Sequence, residues 1–307
     1  MSSPRLNSHA LALSVSAYLL WASAALLFKQ LEHLPAWLVL AQRILWSLLF
    51  CGLILLLYRG RTALAELGAL LRTPRQLAWL PLSSLLIASN WFMVIWAVGA
   101  GRLQDASLGY YLAPALSLLL AKCLFHEPWR TGEPLCVSLC VLGAGLIALA
   151  GGLQHVPWIG LLIALTFALY TALKKAVGMP PLAGLTLETT VAAIPATLYL
   201  LIESEQSTAL SSGDLQLLVA IGLVTTLPML FYVMSLRHLP LTTVGNLQYL
   251  NPSLMFLLAV LVFQENLNAL KLAGFSLIWV ALLYQLLKPT PPEAAVSPAK
   301  KLSHPEH

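Results

Sequence analysis

Charged residues are scarce in this sequence: Asp, Glu, Lys and Arg make up only 9% of its 307 residues. Apolar residues make up 59%, and the mean hydropathy is +0.82. A soluble domain cannot hide that much apolar surface in its interior. Between residues 10 and 287 there is also no polar stretch long enough to fold by itself. The composition therefore excludes a soluble globular domain and predicts a chain that is covered by lipid.

The sequence also lacks the motifs of ATP-driven and hydrolytic proteins. It has no G-x-x-x-x-G-K-[ST], no H-E-x-x-H and no G-x-S-x-G, and no Asp or His pair within an apolar run. We therefore expect no enzyme activity, no cofactor and no metal site. Its four cysteines all lie in apolar runs, where thiols usually pack as small apolar groups: Cys51, Cys123, Cys136 and Cys140.

Long apolar runs take up most of the chain, and a helix needs about 20 predominantly apolar residues to cross a bilayer. We predict an all-α integral membrane protein with ten transmembrane helices. The predicted spans are 10–30, 36–58, 77–98, 103–125, 134–150, 157–175, 182–202, 214–236, 241–263 and 269–287. Leu64, Leu67, Leu70 and Leu71 recur at helical spacing in the segment 59–76, which predicts an interfacial amphipathic helix.

The basic residues predict the orientation of these spans. Of the 17 Lys and Arg residues, twelve fall on the side of the N terminus, three on the other side, and Arg43 and Lys122 within spans. Cytoplasmic loops are rich in Lys and Arg, so both termini are predicted to be cytoplasmic. The net charge of +5 therefore indicates topology, and no nucleic-acid partner is expected. The twelve include Lys174 and Lys175 at the end of the sixth span.

Both ends of the chain are predicted to lie outside the membrane domain. The first apolar run contains Ala22-Ser23-Ala24, which resembles a signal-peptide cleavage site, but continues past it without a break. We therefore expect a retained first helix, preceded by a cytoplasmic N terminus at 1–9. Residues 288–307 are rich in Pro, Ala and charge, which predicts a disordered cytoplasmic tail.

An internal repeat appears when the sequence is shifted by 138 residues. Tyr111-Leu112-Ala113-Pro114 then aligns with Tyr249-Leu250-Asn251-Pro252, and Phe125-His126-Glu127 aligns with Phe263-Gln264-Glu265. The repeat unit is five spans long, at 10–150 and 151–287. An odd number of crossings makes the second copy enter the membrane from the opposite face. The sequence thus predicts two inverted five-helix repeats, a plan found in secondary transporters.

Two ionisable residues fall well inside predicted spans, where a charge is costly unless it faces protein or water. Arg43, next to Gln42, lies in the second span, and Glu188 lies at a similar depth in the seventh. Since these spans are equivalent in the inverted halves, both side chains are expected near the pseudo-twofold axis, where they could form an ion pair. One interpretation is a solute cavity, in which Arg43 binds an anionic group and Glu188 either pairs with Arg43 or takes a proton. The other is a structural salt bridge that holds the two halves together.

Further candidates for solute binding are aromatic and amide residues inside spans, although each could equally serve helix packing. They are Trp21, Asn90, Trp91, Tyr110, Tyr111, Gln248, Tyr249 and Asn251, together with Gln42. Pro114 and Pro252 interrupt their spans and are predicted to kink the helices. Lys122 is expected to extend its ammonium to the cytoplasmic interface, and Asp105 to cap the fourth span. The tryptophans near span ends predict an interfacial belt: Trp37, Trp79, Trp129 and Trp158.

Several local motifs resemble one protein family. They are Trp96-Ala97-Val98, Asp105 to Tyr110, Thr225-Thr226-Leu227-Pro228, Asn246-Leu247-Gln248-Tyr249 and Pro252 to Val260. They are similar to RarD-type proteins of the EamA group, within the drug/metabolite transporter superfamily. The resemblance covers about residues 10–287 and implies a bacterial inner-membrane permease with ten helices and paired EamA repeats. It also implies charged residues at positions 43 and 188.

Two departures from the family pattern bear on the substrate: the loop Gly99-Ala100-Gly101-Arg102, where relatives tend to have Asn and His, and Ala113, where they tend to have Asn. The predicted function is secondary transport of a small metabolite or drug-like solute, with export as the expected direction. A non-transporting receptor or scaffold is the alternative, followed by an intramembrane enzyme. The expected partners are the solute, membrane lipid, and a proton or counter-solute. The oligomeric state and the substrate stay open.

Overall fold

The computed structural model describes residues 7–60, 62–125, 128–129, 131–151, 157–178, 181–203, 210–235, 238–239, 243 and 246–287. Within them, eleven α-helices follow one another. They are α1 (Ser8–Gln30), α2 (Ala36–Arg59), α3 (Thr62–Leu71), α4 (Pro74–Gly99), α5 (Leu103–Phe125), α6 (Glu133–Gly151), α7 (Trp158–Val177), α8 (Pro181–Ile202), α9 (Ser212–Ser235), α10 (Leu250–Leu257) and α11 (Ala269–Leu287). The predicted tail 288–307 lies outside the described residues, as do His126 and Glu127 of the repeat.

The apolar runs form helices close to where hydropathy predicts them. Helices α1, α2, α4 to α9 and α11 coincide with nine of the predicted spans to within three residues at each end. Six of them, α1, α2, α4, α6, α8 and α9, are long and apolar enough to cross a membrane. Large apolar side chains such as Leu57, Ile194 and Leu201 are at least 70% exposed on their outer faces. Lipid has to cover this surface, so the chain is a multi-pass membrane protein.

The ninth predicted span, 241–263, is less regular than expected. The chain makes a turn at Gln248 and Tyr249, and α10 begins only at Leu250. The break lies at the position where Pro252 has no N–H to bond to the carbonyl of Gln248. A π-helical stretch, Leu258–Val262, continues α10. Helix α5, by contrast, continues through Pro114 from Leu103 to Phe125.

Helix α3 confirms a helix in the segment 59–76, but its inward face differs from the predicted leucine stripe. Leu64 is 68% exposed and Leu71 is 49% exposed. The inward face consists of Ala63, Leu67 and Leu70, at positions i, i+4 and i+7. These side chains pack against a small cluster contributed by α2, α8 and α9: Ile54, Leu55, Leu182, Met229 and Leu230.

The helices pack mainly in pairs that join the two halves of the sequence. Helix α1 packs against α9, α2 against α8 and α9, α4 and α5 against α7, and α6 against α11. A large apolar core runs from α1 and α2 through α4 and α5 to α7, α8, α9 and α10. A second core joins α5, α6, α10 and α11, and includes Tyr111, Phe256 and Phe275. The predicted belt tryptophans, Trp37, Trp79, Trp129 and Trp158, are 42–56% exposed.

Three helix pairs approach so closely that only glycine fits at the contact. A Cβ added to Gly143 would lie 2.6 Å from the carbonyl oxygen of Gly274, and one added to Gly274 would lie 2.6 Å from that of Gly143. Gly109 meets the carbonyl of Gly160 between α5 and α7 in the same way. Gly222 of α9 packs on the side chain and backbone of Trp46 in α2. Small residues at such contacts are typical of helix packing in membranes.

The contact between α6 and α11 predicts a position-specific effect of a single methyl group. Gly143→Ala places a Cβ against the backbone of Gly274, so α6 and α11 must separate. Overpacking of this kind costs about 1–3 kcal/mol. We expect a lower apparent Tm for the purified variant in detergent.

Gly145→Ala is the matched control, because it lies on the same helix and an added Cβ there meets no atom within 4 Å. We expect it to unfold at the wild-type temperature or above, since alanine favours a helix over glycine. Equal unfolding temperatures for the two variants would contradict the close contact.

Candidate functional site

Arg43 is a buried cation in the first half of α2 with 8% of its surface exposed. Its guanidinium carbon lies 4.5 Å from the ring centroid of Trp91 in α4 and 5.7 Å from that of Phe28 in α1. The Nε atom is buried without a hydrogen-bond partner. Among the described residues, no carboxylate forms an ion pair with Arg43. The side chain is therefore held by aromatic contacts rather than by an acid.

A polar network on α4, α5 and α7 lies beside Arg43. The hydroxyl of Tyr110 donates to Asn90 Oδ1 at 3.0 Å. Asn90 Nδ2 donates in turn to the carbonyl of Ile163 at 3.0 Å and to Thr166 Oγ1 at 3.1 Å. Tyr110 lies near Arg43. Because both ends of the Asn90 amide are bonded, Asn90 fixes the wall of the site and keeps Tyr110 in place.

A cavity of 220 Å³ opens at the end of the helix bundle opposite the beginning of α1. Phe28 lines this cavity and also contacts Arg43, and Val39, another lining residue, lies one helical turn before Arg43 on the same face of α2. Arg43 therefore lies about one turn deeper than the cavity, with Phe28 between them. The remaining lining residues come from the ends of α1, α2 and α4: Leu31, Glu32, Leu34, Ala36, Ile95, Trp96, Gly99 and Ala100.

Glu188, the second candidate, is fully buried in α8. Its hydrogen-bond partners do not include Arg43, with which the sequence suggested an ion pair. Its carboxylate accepts hydrogen bonds from the Tyr170 hydroxyl at 2.9 Å and from Lys174 Nζ at 3.1 Å. Its main-chain carbonyl accepts one from Ser84 Oγ at 2.7 Å. The possible Arg43–Glu188 ion pair is thus replaced by a pair between Glu188 and Lys174.

The residues that bind Glu188 were missed because Lys174 was counted with the cytoplasmic charges. A signal was present in the sequence, since Tyr170 and Lys174 are four residues apart and share one face of α7. The side chain of Lys174 is only 16% exposed. Gln42, the neighbour of Arg43, is half-buried.

Trp21 lies in α1, where its indole Nε1 donates to the carbonyl of Thr225 in α9 at 3.1 Å. Its ring packs against Tyr18 and Tyr232, with centroids 5.6 and 6.1 Å away. The hydroxyl of Thr225 also lies 3.4 Å from that of Ser47, one turn beyond Arg43 in α2. The hydrogen bond of Trp21 therefore joins α1 to α9, and its acceptor residue Thr225 also contacts Ser47 of α2.

One candidate of the second half, Tyr249, lines a different cavity, of 320 Å³. The other lining residues are Thr243, Asn246, Leu247, Leu250 and Ser253. Tyr111 is buried and bridges α5 to α10 through a 2.7 Å hydrogen bond to Ser253 Oγ. The side-chain oxygen of Asn251 is buried without a hydrogen-bond partner, and Gln248 is half-buried. The structure thus places the predicted residues at separate points: around Arg43, around Glu188 and Lys174, at the contact of Trp21 with α9, and at the start of α10.

The beginning of α5 is capped by a residue that the sequence did not indicate. Leu103 N and Gln104 N donate to the two carboxylate oxygens of Glu265 at 2.5 and 2.9 Å. Asp105, the predicted cap, instead forms an ion pair with Arg102. Glu265 follows the end of the π-helical stretch, and burial raises its pKa although both backbone donors lower it.

Lys122, near the end of α5, reaches the loop that follows, as expected of a long side chain at a helix end. Its ammonium donates to the carbonyl of Pro128 at 2.7 Å and lies 2.8 Å from a carboxylate oxygen of Glu133. It also lies 5.4 Å from the ring of Trp129. Among the described residues, no group of three or more His, Cys, Asp and Glu side chains could hold a metal ion.

Comparison with known proteins finds a transporter family and several relatives that carry a transporter or RarD name. Residues 156–286 match the EamA-like transporter family. An uncharacterized transporter of Pseudomonas aeruginosa is 37% identical over 88% of this chain and 90% of its own length. The uncharacterized transporter YojE of Bacillus subtilis is 38% identical over 87% and 90% of the two chains. Protein RarD of Escherichia coli is 33% identical over 88% and 91%.

A solved crystal structure superposes on this fold with a TM-score of 0.55 at 20% identity, covering 92% of this chain and 97% of the other. That likeness concerns the fold alone. The sequence relatives cover nearly the whole chain at more than 30% identity, and they carry the RarD or transporter name. The chain is a RarD protein and belongs to the EamA-like transporter family.

Proposed function

We propose that this protein is a secondary transporter that moves a small solute across the bacterial inner membrane by alternating access. The observation that carries the proposal is Arg43, a buried cation without an acidic partner among the described residues, one turn below a cavity that opens at one end of the bundle. Intramembrane charges of this kind usually mark a solute or ion pathway. The transporter relatives support the same function.

A symmetric contact supports the inverted repeat that alternating access needs. The 138-residue offset maps Cys136 onto Gly274 and Gly143 onto Ala281. A contact between Gly143 and Gly274 then has a symmetry mate between Ala281 and Cys136. Both contacts are present: the two glycines meet at their backbones, and Cys136 Sγ donates to the carbonyl of Ala281 at 3.4 Å. A twofold axis between two five-helix halves would produce this exchange, as would any antiparallel packing of α6 and α11.

The pair of Glu188 and Lys174 is the element that we propose to open and close during transport. It joins α8 to α7, and Ser84 attaches α4 to the same point. A buried carboxylate of this kind can exchange its lysine partner for a proton. This exchange would link proton movement to a change in helix contacts.

We further propose that export is the direction of transport and that both termini are cytoplasmic. The excess of Lys and Arg on the side of the N terminus supports this orientation. In it, the 220 Å³ cavity faces the extracytoplasmic side. The conformation with this cavity open would then be the one that releases an exported solute.

Arg43→Ala is expected to abolish transport while the protein remains folded and inserted. Among the described residues no acid is paired with Arg43, so removal of its charge leaves no buried acid without a partner. The effect on folding is therefore expected to be small. We would compare the culture media of cells that express wild type and variant by untargeted mass spectrometry. Compounds enriched by wild type should fall to the level of cells without the protein.

Arg72→Ala makes the same chemical change at an exposed position and serves as the control. Cells that express Arg72→Ala should enrich the same compounds in the medium as cells that express wild type. If Arg43→Ala enriches the same compounds as wild type, Arg43 is not part of the transport site.

Glu188→Gln is expected to destabilise the protein, because it leaves the ammonium of Lys174 partly buried without its partner. Breaking a fully buried pair costs about 3–5 kcal/mol, and the partial exposure of Lys174 places this variant at the lower end. The double variant Lys174→Met/Glu188→Leu removes both charges and should unfold close to the wild-type temperature.

The same double variant separates the two roles of the pair. We expect it to be folded but inactive in the culture-medium assay. Normal enrichment by this variant would show that the pair only stabilises the fold.

The predicted topology can be tested with reporter fusions. Alkaline phosphatase, which is active only outside the cytoplasm, should be inactive after residue 307 and active when inserted after Gly101, between α4 and α5. Green fluorescent protein should give the opposite result at the two positions. Active phosphatase at the C terminus would reverse the proposed orientation.

A further inference from the structure

Arg43 and Glu188 are the buried charges among the described residues, and Glu188 is paired with the partly buried Lys174. Glu188 is negative, and Lys174 and Arg43 are positive. Because Glu188 and Lys174 lie 3.1 Å apart, they neutralise each other. The positive charge of Arg43 remains, so the region around it carries an uncompensated charge of one unit.

Aromatic contacts alone do not offset the cost of burying Arg43. A cation over an aromatic ring gains about 0.5–2 kcal/mol, depending on how dry the site is. Only two such contacts are present among the described residues, with Trp91 and the more distant Phe28. Removing an ion from water costs several kcal/mol even after the protein relaxes. The remaining cost is what an anionic ligand would remove on binding.

The acid at the mouth of the adjacent cavity does not fill this role. Glu32 lines the cavity, but its carboxylate is paired with Lys29 at 2.5 Å. The mouth is therefore close to neutral, while the deep end carries the charge of Arg43. This arrangement draws an anion inward past Phe28.

We infer that the solute bound at Arg43 is a small monocarboxylate with a flat apolar body. This inference rests on the proposed transport function and names the class of its substrate. A guanidinium that lies over the ring of Trp91 keeps its N–H groups, which point outward in its own plane, available for a carboxylate. Phe28 and Trp91 provide the apolar contacts for the body of the solute.

Charge and size narrow the class further. One carboxylate matches the single uncompensated charge of Arg43, whereas a phosphate monoester carries about −1.5 to −2 at neutral pH and would leave an excess negative charge in the site. The cavity of 220 Å³, through which the solute would have to pass to reach Arg43, is smaller than the pockets of about 300–1,000 Å³ that hold drug-sized ligands. The solute is therefore expected to be close in size to a single substituted ring.

The test compares acids with uncharged and cationic compounds of the same shape. Purified wild-type protein in detergent would be heated with a panel of small carboxylates that includes benzoate, with their primary amides, and with the corresponding amines. We expect at least one carboxylate to raise the Tm in a concentration-dependent way, and its amide and amine to have no effect. This comparison uses wild type alone and does not depend on whether a variant folds.

Two variants assign the effect to Arg43. Arg43→Gln keeps a hydrogen-bonding group on a shorter side chain and removes the charge, and Arg72→Gln is the exposed control. The active carboxylate should bind Arg43→Gln at least about tenfold more weakly than wild type, and Arg72→Gln as tightly as wild type. A tenfold loss corresponds to about 1.4 kcal/mol.

Three results would overturn the inference: equal shifts from an acid and its amide, a shift from amines, or no shift with any acid of the panel. The outcome is separate from that of the transport proposal. Carboxylate binding without any change in the culture medium would leave the site intact and reject transport. Enrichment of only neutral or cationic compounds in the medium would reject the substrate class and keep transport.

Discussion

An ionised side chain that is removed from water must find a partner within hydrogen-bond reach, or its charge remains a cost of several kcal/mol. This constraint explains how the interior of the protein is arranged. Glu188 meets it with Lys174 and Tyr170, which brings α7 and α8 together at one point. Arg43 meets it only in part, through aromatic rings. The Glu188 pair joins two helices, whereas the region of Arg43 is where we propose that the solute binds.

Hydropathy was sufficient to locate most helices, because a bilayer requires long apolar segments whose backbone groups are all bonded within the segment. It was not sufficient for the ninth predicted span. There the backbone breaks at Gln248 and Tyr249 and ends in a π-helical stretch, which depends on Pro252 and on local packing rather than on apolar content. The face of α3 was also missed, since Leu64 and Leu71 are apolar but face outward. In a membrane protein, an apolar residue does not indicate the direction of the core.

The sequence identified Arg43 and Glu188 as buried charges, but it did not identify their neighbours. Which side chains meet depends on the rotation of each helix about its own axis and on its position along that axis, and helical periodicity fixes neither between separate helices. Lys174 lies near the end of an apolar run, where the charge rule for loops applies equally well. Glu265 reaches the beginning of α5 from a position more than 150 residues away in sequence. Such contacts require the fold itself.

The approach of Gly143 to Gly274 limits how these two positions can vary. Usually, a larger residue on one helix is accommodated by a smaller one on its neighbour. Here both residues are already the smallest available, and the atom that each added Cβ would meet is the carbonyl oxygen of the other. Shortening Ile147 or Ile278, which also line the contact, would remove only the side-chain part of the clash. No second substitution in either helix can therefore compensate for a change at these glycines, and they can be replaced only if the two helices move apart.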